Sequence, residues 1–163
     1  MFKKYYLAYG SNLNLALLKK RCPSAKPVGI VGLENFRLVY KGSSDGYAYL
    51  TIEPSFNEFV PTCLFEISNR DIKALDNYES YPTLYHKEYV SIDVNGKTKE
   101  ALIYIMNEEF TYHLPSDEYI KICEEGYKYM DFDKSILASA LSITFENIKE
   151  NDLKKLIKDW FYV

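Results

Sequence analysis

The sequence predicts an α+β fold in which a β-rich body is followed by a helical tail. Over about residues 1–112, apolar and aromatic residues run in short stretches that stop at turn residues, which is typical of strands. Over about residues 116–160, apolar residues instead recur every three or four positions, which is the period of helices. Neither a linker nor an internal repeat separates the two parts, and we therefore expect residues 1–163 to form a single domain.

The first predicted strand, residues 3–9, is an apolar and aromatic run that stops at Gly10. Leucines then recur at helical spacing up to Arg21, so a short helix should follow the strand. Ser11 or Asn12 can cap the N-terminus of this helix, and the cations at its other end suit the negative end of the helix dipole.

The next part of the sequence predicts three further strands. Residues 28–40 form one extended run, and a turn separates them from residues 47–52, which end shortly before Pro54. Residues 59–67 form another apolar run. Because Pro61 has no N–H group, we expect this last strand to begin at a sheet edge or at a bulge.

A helix and a hairpin complete the predicted body. Ser68 is typical of a helix start, and the helix should end near Glu79 because Pro82 follows three residues later. Two extended runs follow, and Asn95-Gly96 separates them. An Asn-Gly pair between two such runs predicts a hairpin with a type I′ turn.

The tail predicts three helices. Ser116 opens the first with acidic residues in its first turn, residues 136–145 indicate a second, and residues 153–160 a short third. The apolar stripe along the first two helices is too wide to remain in water, so we expect it to pack on the body. A dimer interface formed by the same stripe is the competing interpretation, and the sequence leaves a homodimer open.

Composition narrows the function classes. The formal net charge is −3, from 20 basic and 23 acidic residues, whereas proteins that bind nucleic acid through its phosphates normally carry a basic excess. No apolar run approaches the roughly 18 residues of a membrane span, and the N-terminal apolar stretch is too short for the core of a secretory leader. We therefore expect a cytoplasmic protein with neither a nucleic-acid nor a membrane partner.

The spacing of the cysteines and histidines argues against a metal site. Cys22, Cys63 and Cys123 are widely separated, which predicts neither a disulfide framework nor a zinc site. His86 and His113 lie in different elements, without an acidic or cysteine partner at metal-ligand spacing. A Gly-x-Ser-x-Gly elbow is also missing from the sequence, so a serine hydrolase is not indicated.

Two segments remain as candidates for chemistry. The loop after the first strand, residues 9–13, leads into a helix, where free N–H groups and a glycine suit an anion. A tight turn with an Asn or Ser cap explains the same residues. Glu79 falls at a helix C-terminus between Tyr78 and Tyr81, where the helix dipole and burial would raise its pKa toward that of a general base. Taken alone, a glutamate at a helix end is usually a solvated surface residue, so the position of Glu79 by itself does not indicate catalysis.

Three short motifs, spread over roughly residues 3–130, resemble the motifs of the gamma-glutamylcyclotransferase-like family. They also occur in the same order and at similar separations. They are Tyr9-Gly10-Ser11-Asn12-Leu13, then Leu75-Asp76-x-x-Glu79 with Pro82 and Tyr85-His86-Lys87-x-x-Val90 behind it, and finally Pro115-Ser116-x-x-Tyr119 with Ile122 and Gly126. The combination of the first two segments, about 65 residues apart, is more specific than either segment alone.

The resemblance implies a small mixed β-barrel with flanking helices and a cofactor-independent enzyme. In the implied reaction, a gamma-glutamyl amide cyclises to 5-oxoproline and releases an amino acid or an amine. Glu79 would be the catalytic acid/base in this reaction. The resemblance also implies that backbone amides bind the glutamyl moiety, namely those of Tyr9, Gly10, Ser11, Asn12 and Leu13. Tyr85 and Tyr119 would line the pocket. Neither a metal nor another cofactor is implied.

Two alternatives stay open at the level of sequence. The same fold and pocket could serve a non-catalytic module that binds a small molecule, although such a module would have no need of Glu79. A cyclotransferase could also act on gamma-glutamyl amines rather than on gamma-glutamyl amino acids, since the sequence does not identify the leaving group.

Overall fold

The computed structural model describes residues 2–161 and contains a single sheet with helices packed around it. The strands are β1 (Lys4–Ala8), β2 (Lys26–Gly42), β3 (Ala48–Ile67), β4 (Tyr85–Val94), β5 (Lys97–Met106) and β6 (Thr111–Tyr112). The helices are α1 (Leu15–Arg21), α2 (Asn69–Tyr78), α3 (Asp117–Met130) and α4 (Ser135–Phe161), and a 3-10 turn (Ser11–Leu13) precedes α1.

The six strands form one curled sheet in the order β4-β5-β1-β3-β2-β6. The pairing of β1 with β5 is parallel, and the other pairs are antiparallel. The sheet is a mixed half-barrel, which confirms the predicted α+β class and the barrel-type body. Because β1 is short and central, the chain leaves the sheet at Ala8 in the middle of the barrel, and the residues that follow lie over its open end.

The prediction of two separate strands between residues 47 and 67 was wrong, because β3 is one strand of 20 residues that contains both Pro54 and Pro61. On one side β3 pairs with β2 along its length, but on the other side β1 covers only its last part, from Cys63 onward. The two prolines therefore lie where β3 has a neighbour on one side only, which is where a strand tolerates proline. The register between β2 and β3 shifts at Asn35, opposite the part of β3 where the sequence predicted a gap between two strands.

The start of α1 also differs from the prediction. Asn14, and not Ser11 or Asn12, is the N-cap, and its Oδ1 accepts a hydrogen bond from the Leu17 amide at 3.4 Å. The side chains of Ser11 and Asn12 contact other elements instead, at Tyr78 and Glu79 respectively. Tertiary contacts thus take the two side chains that local propensity favours as caps.

The start and end of α2 agree with the prediction. Ser68 caps the helix, and its side chain and that of Asp71 form a reciprocal capping box. The helix ends at Tyr78 with Glu79 as its C-cap, and the fully buried Leu75 anchors it on the body. Burial of Leu75 one turn before Glu79 holds the carboxylate near the open end of the barrel.

The helical tail packs on the body along its first two thirds, as predicted. Cys123 and Tyr127 of α3 and Leu137 and Ala140 of α4 are buried, so the body covers the stripe that could otherwise form a dimer interface. The second and third predicted helices are one continuous helix, α4, whose final residues are exposed. Among the described residues, none of the helices combines the length and the apolar character that crossing a membrane requires.

The β4–β5 hairpin has the predicted turn, since φ is 51° at Asn95 and 76° at Gly96. We expect Gly96→Val to lower the free energy of unfolding by about 1–2 kcal/mol, because a β-branched residue is strained at positive φ. Urea unfolding checks this value. Gly96→Asn is the matched control, because Asn tolerates the left-handed region, and an equal loss in both variants would contradict the explanation by φ.

Candidate active site

A narrow pocket opens where β1 ends, and both segments singled out from the sequence border it. Its lining comes from β1, β3, β4 and β5, from the loop after β1, from the end of α2 and from α3. It consists of Tyr6, Tyr9, Gly10, Ser11, Asn12, Leu50, Glu79, Tyr85, Tyr104 and Tyr119. All the predicted site residues line it except Leu13, which is fully buried in the core. The resemblance implied that the Leu13 amide binds the ligand. In the structure this amide donates to the Gly10 carbonyl oxygen at 3.0 Å instead.

Glu79 and the loop after β1 form a single site although about 65 residues separate them in the sequence. The Asn12 Nδ2 group donates to Glu79 Oε1 at 3.3 Å and to the Tyr6 hydroxyl at 2.9 Å. Ser11 Oγ and the Tyr78 hydroxyl lie 2.8 Å apart and share a second hydrogen bond between the same two segments. The two halves of the pocket are therefore joined by side-chain hydrogen bonds.

Burial gives Glu79 an acidity suited to proton transfer near neutral pH. Desolvation raises the pKa of Glu79 from its ordinary value of 4.5 to about 7, and the positive charge of Arg21 acts in the opposite direction. Of the two causes that the sequence suggested, burial is thus the largest one acting on the pKa of Glu79. A carboxyl with a pKa near the working pH can both accept and return a proton.

Three tyrosines of the pocket are held by backbone groups and remain protonated near neutral pH. The Tyr9 hydroxyl donates to the Tyr104 carbonyl oxygen at 2.6 Å, and the Tyr85 hydroxyl donates to the Leu50 carbonyl oxygen at 2.8 Å. The Tyr119 hydroxyl accepts from the Leu50 amide at 3.1 Å, which leaves its own proton for another acceptor. Burial raises the pKa of Tyr9, Tyr85 and Tyr119 far above neutral, so none of them serves as a base.

A wider cavity of about 200 Å³ adjoins the narrow pocket on the outer side of Glu79. Its further lining is aromatic or small and uncharged, with Tyr49, Tyr78, Ser80 and Leu84 beside the residues that it shares with the narrow pocket. Glu79 lies at the junction of the two spaces. A ligand in the wider cavity therefore lies beside Glu79 and the entrance to the narrow pocket, whose own volume is about 20 Å³.

Sequence reasoning missed several residues of the site, of which Arg21 is the most informative. The cations at the end of α1 were interpreted only as partners of the helix dipole, whereas the Arg21 guanidinium lies 3.4 Å from the centre of the Tyr78 ring and donates to Asn12 Oδ1. Tyr6 and Tyr104 were missed because nothing in their own segments distinguishes them from core tyrosines. In residues 2–161, no group of three or more His, Cys, Asp or Glu side chains is arranged to hold a metal ion.

A family profile matches the part of the chain that forms the pocket. The profile of the family described as "Gamma-glutamyl cyclotransferase, AIG2-like" matches residues 6–128, which include every residue of the pocket. Among curated protein sequences, the comparison finds no match.

Three solved structures illustrate the likeness. One named "Gamma-glutamyl cyclotransferase" is 26% identical, covers 78% of this chain and 79% of its own, and has a TM-score of 0.65. An uncharacterized protein from Homo sapiens is also 26% identical, with 77% and 79% covered and a TM-score of 0.65. YkqA from Bacillus subtilis is 17% identical, with 78% of this chain and 49% of that chain covered and a TM-score of 0.64, which shows a shared fold. With three quarters of its length matched by the family profile, the chain belongs to the gamma-glutamyl cyclotransferase, AIG2-like family.

Proposed function

We propose that the protein catalyses the cyclisation of a gamma-glutamyl amide to 5-oxoproline, with Glu79 as the general acid/base. The observation that carries the proposal is the position of Glu79, a half-buried carboxylate with a pKa of about 7, in a pocket shared with the loop after β1. The family and the solved structure named "Gamma-glutamyl cyclotransferase" support the same class of reaction.

The reaction needs proton transfer more than it needs a strong nucleophile. The substrate's own α-amine attacks the γ-carbonyl carbon, so folding the substrate into the pocket supplies much of the proximity. An α-ammonium group has a pKa of about 7.7–8.0 and cannot attack until it loses a proton. Glu79 accepts that proton before the attack and returns it to the leaving nitrogen as the old C–N bond breaks. The attacking nitrogen loses a second proton as the new C–N bond forms, and this proton passes to the released amine, which leaves as an ammonium ion.

The negative charges of the substrate and of the intermediate require hydrogen-bond donors. The loop over Gly10–Asn12 supplies donors beside the pocket, and the Tyr119 hydroxyl has a proton to donate because it accepts from the Leu50 amide. Donors of this kind stabilise the oxyanion of the tetrahedral intermediate or bind the α-carboxylate of the substrate. The remaining tyrosines exclude water around the reacting atoms.

The wider cavity favours an amine as the leaving group. Tyr49, Tyr78, Tyr85 and Tyr119 give it aromatic walls, which suit an alkyl chain or an ammonium group through apolar and cation–π contacts. A gamma-glutamyl amine in this cavity would place its γ-carbonyl beside Glu79 and its amine end against these walls. Gamma-glutamyl amino acids are the second candidate class.

The proposal is tested by incubating the protein with gamma-glutamyl amines and gamma-glutamyl amino acids and measuring 5-oxoproline. We expect product from at least one compound, and higher kcat/KM for the amines. The matched control is the same compound with an acetylated α-amine, which binds the same walls but cannot cyclise. If folded protein forms no product from any compound but binds one of them by calorimetry, the chain is a binding module and the proposal is wrong.

Gly10 provides a prediction on substrate binding. Its φ is −124°, and an added Cβ would lie 3.5 Å from Leu50 Cβ and 3.7 Å from the Tyr119 hydroxyl. We expect Gly10→Ala to raise KM about tenfold, which corresponds to about 1.4 kcal/mol, because the methyl group occupies substrate space. Gly32→Ala, outside the pocket, is the control, and equal KM values in the two variants would contradict the prediction.

A further inference from the structure

Arg21 contacts two residues of the site, Tyr78 and Asn12, without lining the pocket itself. It is the last residue of α1, and its guanidinium stacks on the Tyr78 ring at 3.4 Å from the ring centre. Its Nη1 group donates a short hydrogen bond to Asn12 Oδ1. A planar guanidinium can stack and donate at the same time, which a lysine ammonium cannot do in this geometry.

The contact with Arg21 determines which way the Asn12 amide faces. A guanidinium has donors only, so the Asn12 atom that faces Arg21 must be the oxygen. The Asn12 NH₂ group then faces the other side, where it donates to the Tyr6 hydroxyl at 2.9 Å and to Glu79 Oε1 at 3.3 Å. With the amide reversed, its oxygen would face the Glu79 carboxylate and lose that hydrogen bond.

We propose that Arg21 is a positioning residue that holds the Asn12 amide with its NH₂ group toward Glu79. Through Asn12, Arg21 keeps a hydrogen-bond donor on the carboxylate, and its own charge adds a favourable interaction with the ionised form. The role of Arg21 in turnover rests on the proposed function, but its effect on the ionisation of Glu79 does not.

The charged groups around Glu79 determine in which direction its pKa changes when Arg21 is removed. The titratable groups that act on or respond to Glu79 are Arg21 of α1, Tyr78 of α2, Tyr6 and Tyr9 at β1, Tyr85 of β4 and Tyr104 of β5. Arg21 is the cation of this group, and it lowers the pKa of Glu79 against the effect of burial. Loss of Arg21 should therefore raise the pKa of Glu79 above about 7.

The direct test is a titration of the Glu79 side-chain carboxyl carbon by 13C NMR in the wild type, Arg21→Met and Arg21→Lys. We expect the midpoint to move to higher pH in Arg21→Met and by a smaller amount in Arg21→Lys, which keeps the charge but not the planar group. Lys20→Met is the matched control, because it removes one exposed charge from the same turn of α1 and should leave the midpoint unchanged.

The pH dependence of kcat/KM in the Arg21 variants distinguishes a positioning role of Arg21 from a role in folding alone. If the midpoint rises by about one pH unit from about 7, the ionised fraction of Glu79 at pH 7 falls about fivefold, and kcat/KM falls with it. We expect the acid limb of the kcat/KM profile to move with the NMR midpoint and the rate to recover at high pH. KM for the substrate should change little, because Arg21 does not line the pocket.

Several results would overturn the proposal. An unchanged NMR midpoint in folded Arg21→Met would do so, and so would a loss of activity at all pH values without a change in the midpoint. If Arg21→Met does not fold, a wild-type midpoint in Arg21→Lys would overturn it as well. If the wild type forms no 5-oxoproline, the proposed function fails, while the titration still decides whether Arg21 acts on Glu79.

Discussion

Glu79→Gln is expected to lower kcat for 5-oxoproline formation by about 10²–10⁴-fold, the usual contribution of a positioned general acid/base. Glutamine keeps the shape of the side chain and can still contact Asn12, but it cannot accept the proton of the substrate ammonium. Binding of the substrate should change much less than kcat, because the donors of the loop after β1 and the Tyr119 hydroxyl remain in place.

Glu79→Gln should also change how stability depends on pH. In the wild type, the folded-state pKa of about 7 lies above the ordinary value of 4.5, so the folded state binds the proton more tightly than the unfolded state does. The stabilisation from protonated Glu79 is complete below pH 4.5 and is lost as pH rises through about 7. The variant has no such loss, and we expect it to be at least as stable as the wild type at pH 8.

Rapid kinetics and urea unfolding from pH 4 to 9 measure both effects. Glu100→Gln is the matched control, because Glu100 is exposed on β5 and the same substitution there should alter neither quantity. The kcat/KM of the wild type should rise with pH through about 7 as Glu79 ionises. Activity of Glu79→Gln within a few-fold of the wild type would remove Glu79 from the catalytic role.

Gly126→Ala is expected to damage stability and substrate binding together. In the interior of a helix, exchange of glycine for alanine normally stabilises by about 1 kcal/mol. At this position, however, the added Cβ would lie 2.8 Å from the Asn14 amide nitrogen and 2.9 Å from the Leu13 carbonyl carbon. Both neighbours are backbone atoms that cannot move aside alone, so overpacking should outweigh propensity and cost about 1–3 kcal/mol.

The same clash acts on the site because α3 supports the loop after β1. Asn14 Nδ2 donates to the Ile122 carbonyl oxygen at 3.2 Å and to Glu125 Oε2 at 3.0 Å, which ties the turn to α3 on the side opposite the pocket. If α3 moves outward, the Ser11–Leu13 turn either follows it or loses these contacts. We expect KM to rise in Gly126→Ala in parallel with the loss of stability.

Urea unfolding and steady-state kinetics of Gly126→Ala test this account against Lys121→Ala, an exposed position on the same helix. The Lys121 variant should be close to the wild type in both measurements. A Gly126→Ala protein more stable than the wild type would mean that helix propensity outweighs the contact with the loop, and the prediction would be wrong.

The sequence by itself determined the features that a few consecutive residues produce. The capping box at Ser68 starts α2, Asn95-Gly96 forms the type I′ turn, and Ser116 caps α3, each as predicted. In each case the hydrogen bonds or dihedral angles involved lie within four residues of the signal, so distant parts of the chain have little influence on them. The α+β class follows for the same reason, since it rests on local periodicity.

Only the tertiary structure decided which residues share the pocket and how β3 and α4 are formed. Pro54 and Pro61 interrupt the strand pattern in the sequence, yet β3 continues through both because β1 leaves that side of the strand unpaired. Arg21 was one cation among three at the end of α1 until the structure placed it against Tyr78 and Asn12. A side-chain contact between segments distant in sequence depends on how all the strands pair and on which faces they bury. Strand pairing and burial involve the whole chain, so the residues of one segment do not determine them.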